Sequence, residues 1–302
     1  MKQNRSNLRL FAVLGCIFTL PVVHGQILTT NWTGEHSGDR FNQAANWDEG
    51  VPSAGDTGNI TDSRVELGMQ AEMVVGATIN FFGSSTLEAN SNGRYDFNGV
   101  LNIADSTSVN ISRWQVNEDA TLNWTSTSNF SLAPDGTVTQ PRFEMLTGST
   151  VNMSAGTWDL TGTDNTDAMR VTDGTFNMTG GTINMTQRLR LDSVFNLGGT
   201  GAVYAGSQFI NEGAVLNFEG TQSAFYLLGT DGESQINTRI GQSRIALDGV
   251  TQTDKSNFVF SIVDIDGVDY TQITAIPEPR AYAAWAGLAA LALLWWRTRR
   301  VR

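Results

Sequence analysis

Three carboxylates near the C-terminal end, Asp264, Asp266 and Asp269, fall within one short stretch. Oxygen-rich spacing of this kind can hold Ca²⁺, a hard cation that takes carboxylate and carbonyl ligands. The stretch lacks the full ligand set of a calcium loop, including a Glu at the right place downstream. Asp266-Gly267 also lies between two alternating apolar runs, Phe258–Val263 and Val268–Ile273, which is a hairpin signal. The turn accounts for these acids, with Ca²⁺ as the alternative reading and no other cofactor expected. Few other groups could do chemistry. Outside the first 25 residues and the C-terminal tail the chain has one histidine, His36, and one lysine, Lys255. A Ser-His-Asp triad would have to use His36, and a site built from several histidines is excluded. Cys16 is the only cysteine, so there is no disulfide and no thiolate metal site.

Asp164-Asn165-Thr166-Asp167 is similar to one short motif of β-helical polygalacturonases. Inverting glycosidases need two carboxyl groups about 6.5–9.5 Å apart. The companion motifs of that family, Asp-Asp, Gly-His-Gly and Arg-Ile-Lys, are missing from this chain. Polysaccharide lyases of that fold need a basic proton acceptor, and basic residues are scarce. An enzyme is therefore not expected, and a glycan-active lyase or hydrolase is the alternative.

The two ends carry addresses. Lys2, Arg5 and Arg9 precede an apolar run from Leu10 to Val23, and Val23-His24-Gly25 offers small residues for cleavage before Gln26. Residues 1–25 therefore read as a secretory signal helix for the Sec export machinery. At the other end, Pro277-Glu278-Pro279 cannot lie inside a helix or a central strand. Residues 281–296 follow without a charge, and as a transmembrane helix they would span about 24 Å at about 1.5 Å per residue, short against a hydrocarbon core of about 30 Å. Trp295 and Trp296 suit the membrane interface. Arg297, Arg299, Arg300 and Arg302 keep the terminus cytoplasmic and everything before it outside.

Proline-bracketed Glu278, a short apolar helix and a terminal arginine cluster resemble the PEP-CTERM sorting signal; Arg280 stands where that family more often has a small residue. The resemblance implies recognition by exosortase in a Gram-negative bacterium that makes exopolysaccharide. It implies cleavage near Pro277-Glu278-Pro279, a transient stay in the inner membrane, and delivery of the body to the cell surface or extracellular matrix.

Charge narrows the partners. Residues 26–279 hold 11 basic against 30 acidic residues, a net charge near −19. Such a body repels the phosphates of nucleic acid. It favours solubility and suits cationic partners.

The body itself is a patterned β chain. Asn31-Trp32, Asn46-Trp47-Asp48, Val51-Pro52, Gly55-Asp56 and Ile60 form an opening segment, residues 26–64. It resembles the start of β-helical, autotransporter-like surface proteins. Its tryptophans read as a cover for the first coil, with sugar stacking on Trp32 or Trp47 as the alternative. Residues 65–223 repeat the triplet apolar–Asn–apolar, centred on Asn80, Asn102, Asn110, Asn123, Asn152, Asn177, Asn184, Asn196 and Asn217. A period of two places Asn on one strand face and the apolar residues on the other. Several Asn-to-Asn spacings fall near one solenoid coil, and the shorter ones suggest two strands within a coil.

We therefore expect an all-β right-handed parallel β-helix, with a β-sandwich as the alternative. Residues 224–275 should form an antiparallel closing hairpin over the last coil, and residues 276–302 the sorting signal. Asn31, Asn59, Asn110, Asn123, Asn129, Asn152, Asn177 and Asn184 begin Asn-x-Ser/Thr sequons. Thr125/Thr127 and Thr137/Thr139 raise ice binding, but the pairs do not recur at coil spacing. The functional expectation is a secreted structural or adhesive protein whose polar Asn/Ser/Thr faces meet exopolysaccharide or another glycan.

Overall fold

The structure is a computed structural model that describes residues 27–34, 40–67, 72–89, 95–132, 142–161 and 166–276. The signal segment, His36, Asp164, Asn165, the pair Thr137/Thr139 and the whole of Pro277-Glu278-Pro279, 281–296 and Arg297, Arg299, Arg300 and Arg302 lie outside the described residues. Among the described residues no helix is long and apolar enough to cross a membrane.

Short alternating strands in this chain have one apolar row to bury, and they bury it by winding. The result is a β-solenoid of about seven turns, not a sandwich. Each full coil lays one strand on each of three faces. The first face runs from Thr29–Asn31 and Thr57–Thr61 through the C-terminal halves of Glu72–Phe82 and Tyr95–Ile103. It continues with Thr121–Trp124, Thr150–Met153, Thr175–Met178, Val194–Gly198, Val215–Glu219 and Ile245–Leu247, every step parallel. The second face runs in parallel from Arg64–Leu67 to Ala224–Leu228. The third includes Arg113–Val116, Arg142–Met145, Asp167–Val171, Arg188–Leu191 and Ser207–Ile210. Asn102 and Asn110 sit on the first and second faces of one coil, so the short Asn spacings do mark two strands within a coil.

The inward rows meet on the axis. Ile79 and Phe81, Leu101 and Ile103, Leu122 and Trp124, Val151 and Met153, and Phe176 and Met178 flank their asparagines and are all buried. Trp158 is the hub: its ring lies 4.9 to 5.7 Å from those of Trp124, Phe130, Phe143 and Phe176. Aromatic pairs at such separations contribute about 0.5–1.5 kcal/mol beyond the area they bury.

Coils must turn corners, and close stacking restricts what can stand there. A Cβ on Gly199 (φ +52°) would lie 1.9 Å from the Thr179 carbonyl oxygen of the preceding coil. Only glycine fits that approach.

Both ends of the stack are covered. At the N-terminal end Trp32 and Trp47 meet edge to face at 5.3 Å, and Trp47 Nε1 donates to the Phe41 carbonyl at 2.9 Å. Both tryptophans are buried, so they serve as the cover and offer no face for sugar stacking. At the other end a helix, Gly232–Gly241, follows the last second-face strand and buries Ile236 and Ile240. The sequence does not announce this helix, because two apolar residues one turn apart are too few to set a helical period. Beyond it, Phe258–Ile265 and Val268–Ala275 pair antiparallel, and the second strand pairs antiparallel with Ala224–Leu228. The expected hairpin thus closes the second face. Asp266 (φ +54°) and Gly267 (φ +80°) form its two-residue loop, with both φ values positive as a type I′ turn requires.

Candidate functional site

The outward face of the first sheet is a single line of asparagines. Asn59 donates Nδ2 to Asn31 Oδ1 at 3.3 Å, Asn80 to Asn59 at 2.9 Å, Asn102 to Asn80 at 2.7 Å, and Asn123 to Asn102 at 2.8 Å. The row continues from Asn152, Asn177, Asn196 and Asn217, each donating to the asparagine one coil earlier at 2.7 to 2.9 Å. Both ends are terminated. Asn31 donates Nδ2 to Asp48 Oδ2 at 2.8 Å, and Asn217 Oδ1 accepts from the Gly249 amide at 2.9 Å. Hydrogen bonds from the Asn31 backbone and side chain hold the Asp48 carboxyl below its usual pKa. Asn31 and Asn59 belong to the ladder although no apolar–Asn–apolar triplet marks them. Gly58 takes one apolar place because Trp47 and Pro52 pack against it.

The second face carries a groove of about 470 Å³. Asp159, Thr161, Thr182, Asn184, Met185, Thr186 and Tyr204 come from three successive coils, and Ile265, Asp266 and Tyr270 come from the hairpin. Its aromatic lining is Tyr204 and Tyr270; Tyr204 is backed by Tyr226 of the next coil, centroids 4.2 Å apart and planes within 9°. Tyr270 meets Tyr204 edge on at 5.8 Å, and the Tyr226 hydroxyl accepts from Gln272 Nε2 at 3.0 Å. Burial, then the neighbouring Tyr226, pushes the Tyr204 phenol up to about 12. It therefore stays a protonated donor across the whole physiological range. An aromatic wall beside amide, hydroxyl and carboxylate groups offers a sugar ring both a flat apolar surface and partners for its hydroxyls.

The sequence-predicted acids have separate fates. Asp264 and Asp269 face each other across the hairpin, and Asp264 Oδ1 accepts from the Gly267 amide at 3.0 Å. Among the described residues no group of three or more His, Cys, Asp or Glu side chains is placed to hold a metal ion. The loop disperses the predicted acids: Asp264 caps its own turn while Asp266 points to the groove wall. Asp167 stands on the third face, paired with Arg188 at 2.6 Å. Asp159 accepts from both the amide and hydroxyl of Thr161, at 3.0 and 2.6 Å.

No family model matches the chain, no curated protein matches it, and no solved structure matches it. The groove was not visible in the sequence because Asp159, Tyr204 and Tyr270 are brought together only by coil stacking and hairpin closure. Tyr204 and Tyr226, one coil apart at the same register position, were the available signal.

Proposed function

We propose that this chain is an exported, non-enzymatic rod of the cell surface or exopolysaccharide matrix that holds neutral sugar chains in the groove of its second face. Export through the Sec machinery and release by exosortase at Pro277-Glu278-Pro279 would bring it there. The coil would be right-handed, the hand that parallel crossover connections take almost without exception. The observation that carries the glycan reading is the pair of rings Tyr204 and Tyr270 lining the groove together with Asn184, Thr161, Thr182 and Thr186. Eight ladder steps of about 4.8 Å make a shaft of about 38 Å, stiffened by main-chain and side-chain bonds alike.

Two measurements test this. Mass spectrometry of the mature C-terminus in fractionated cells should find an end near Pro279 on surface-associated protein; a cytosolic chain, or one retaining Trp295, Trp296 and the arginines, overturns the sorting. Tyr270→Ala should abolish retention on neutral exopolysaccharide while leaving the fold intact. Asp159 and Asp266 line the same groove, and that observation favours a glycan-active enzyme as the second reading. New reducing ends or unsaturated products on incubation with polysaccharide would establish it in place of the first.

A further inference from the structure

The third face differs from the rest of the molecule in charge. Residues 27–276 hold 11 basic and 29 acidic side chains. Seven of those basic residues, Arg113, Arg142, Arg170, Arg188, Arg190, Arg239 and Arg244, line this one face and its C-terminal end. Glu144, buried, answers the first three: Arg142 lies at 2.8 Å, Arg113 at 3.5 Å and Arg170 at 3.7 Å. Asp192 and Asp167 answer the next, with Arg170 and Arg190 at 3.1 and 3.0 Å from Asp192 and Arg188 at 2.6 Å from Asp167.

Toward the C-terminal end arginines outnumber these carboxylates. Arg188, Arg190 and Arg239 place their guanidiniums 5.1, 5.7 and 5.9 Å from the centre of a single ring, Phe209, which is 36% exposed. Arg239 Nε donates to Gln208 at 3.2 Å, and Arg244 Nη1 donates to the Ile210 carbonyl at 2.6 Å. Among the described residues neither has a carboxylate within ion-pairing distance. Burial first, and the charge of Arg244 second, lower the pKa of Arg239. Of the five arginines from Arg170 onward, three are paired with Glu144, Asp167 or Asp192, and Arg239 and Arg244 add two further cations at the same end.

We propose that this end of the third face binds the carboxylate groups of an acidic polysaccharide, with a sugar ring against the exposed part of Phe209 and its uronate paired with Arg188, Arg190 and Arg239. Guanidinium forks match carboxylates bidentately, and an aromatic ring supplies the flat apolar floor. The acidic character of the whole body does not prevent this. At physiological ionic strength screening acts over about 8 Å, so the local excess of arginine decides. The surface lies on a different face from the Tyr204 groove and does not depend on it.

Affinity electrophoresis of the full chain through gels containing polygalacturonate tests the proposal. The wild-type chain should be retarded, retardation should fall with added salt, and the methyl-esterified polymer should fail to retard it. The triple variant Arg188→Gln/Arg190→Gln/Arg239→Gln should lose at least tenfold in affinity. If it does not fold, Arg239→Gln alone, which breaks no ion pair, should weaken binding several-fold. Tyr270→Ala should bind polygalacturonate as the wild type does. Unchanged retardation in folded arginine variants overturns the proposal. So does equal retardation by a DNA oligonucleotide, which would mark indiscriminate binding of anions.

Discussion

Asn123 donates its side-chain amide to Asn102 Oδ1 at 2.8 Å across 21 residues of chain. The bond joins side chains that point outward from neighbouring coils, and the same bond repeats from Asn31 to Asn217. Each net hydrogen bond of this kind contributes about 1 kcal/mol. Asn102→Ala removes two of them and should cost about 1–2 kcal/mol in urea unfolding. Asn110→Ala, exposed on the second face, should stay within about 0.5 kcal/mol of the wild type.

Trp158 should be the most sensitive position in the core. It is fully buried and touches four other aromatic rings. Trp158→Ala should cost about 3–5 kcal/mol by thermal or chemical denaturation. Trp158→Phe should cost much less, because Nε1 has no hydrogen-bond partner among the described residues and its loss leaves nothing unpaired.

Two glycines with positive φ separate backbone strain from steric conflict. At Gly213 (φ +81°) an added methyl group would have nothing within 4 Å, so Gly213→Ala should cost about 1–2 kcal/mol for the left-handed backbone alone. Gly199→Ala adds a collision with the Thr179 carbonyl and should cost about 1–3 kcal/mol more. Equal losses in denaturation midpoint would refute the close stacking at that corner.

Alkali should loosen the closing end through Tyr204. Its folded pKa is raised to about 12, above the ordinary value of 10.0, so the folded state prefers the neutral phenol. That contribution is fully present below pH 10 and is lost as pH rises toward 12. Stability measured across this window should fall less steeply in Tyr204→Phe, and the tyrosinate absorbance of the wild type should rise late.

Sequons within the ladder should remain bare. Glycosylation uses the asparagine Nδ2, which in Asn59, Asn123, Asn152 and Asn177 already donates to the coil below. Asn110 and Asn129 are exposed on the second face and carry no such bond. Glycopeptide analysis should find any sugar at Asn110 or Asn129, and occupancy at Asn123 would contradict the folded ladder.

Much of the winding was legible because one residue type repeats. Asparagine between two apolar residues marks a strand and its two faces together, and seven of the nine triplets fall on the first face. The third face was not legible, because its outward residues are charged and varied. The shared pattern there is arginine opening the strand, as in Arg113-Trp114, Arg142-Phe143 and Arg188-Leu189. The hairpin was legible from Asp266-Gly267, since positive φ at both positions selects those residues. The groove was not, because nothing local in Asp159 or Tyr270 encodes a meeting more than a hundred residues apart.

The terminators of the asparagine row have one more effect. Asp48 can only accept and the Gly249 amide can only donate, so the orientation of every amide between them is dictated from outside. Inverting one side chain would set nitrogen against nitrogen, and reversing the whole row would set the Asn31 oxygen against the Asp48 carboxylate. The aligned amide dipoles therefore sum along the axis, as peptide dipoles do in a helix, and give the shaft an electrical head and tail. Two such shafts lying side by side attract when they run in opposite directions and repel when they run in the same one.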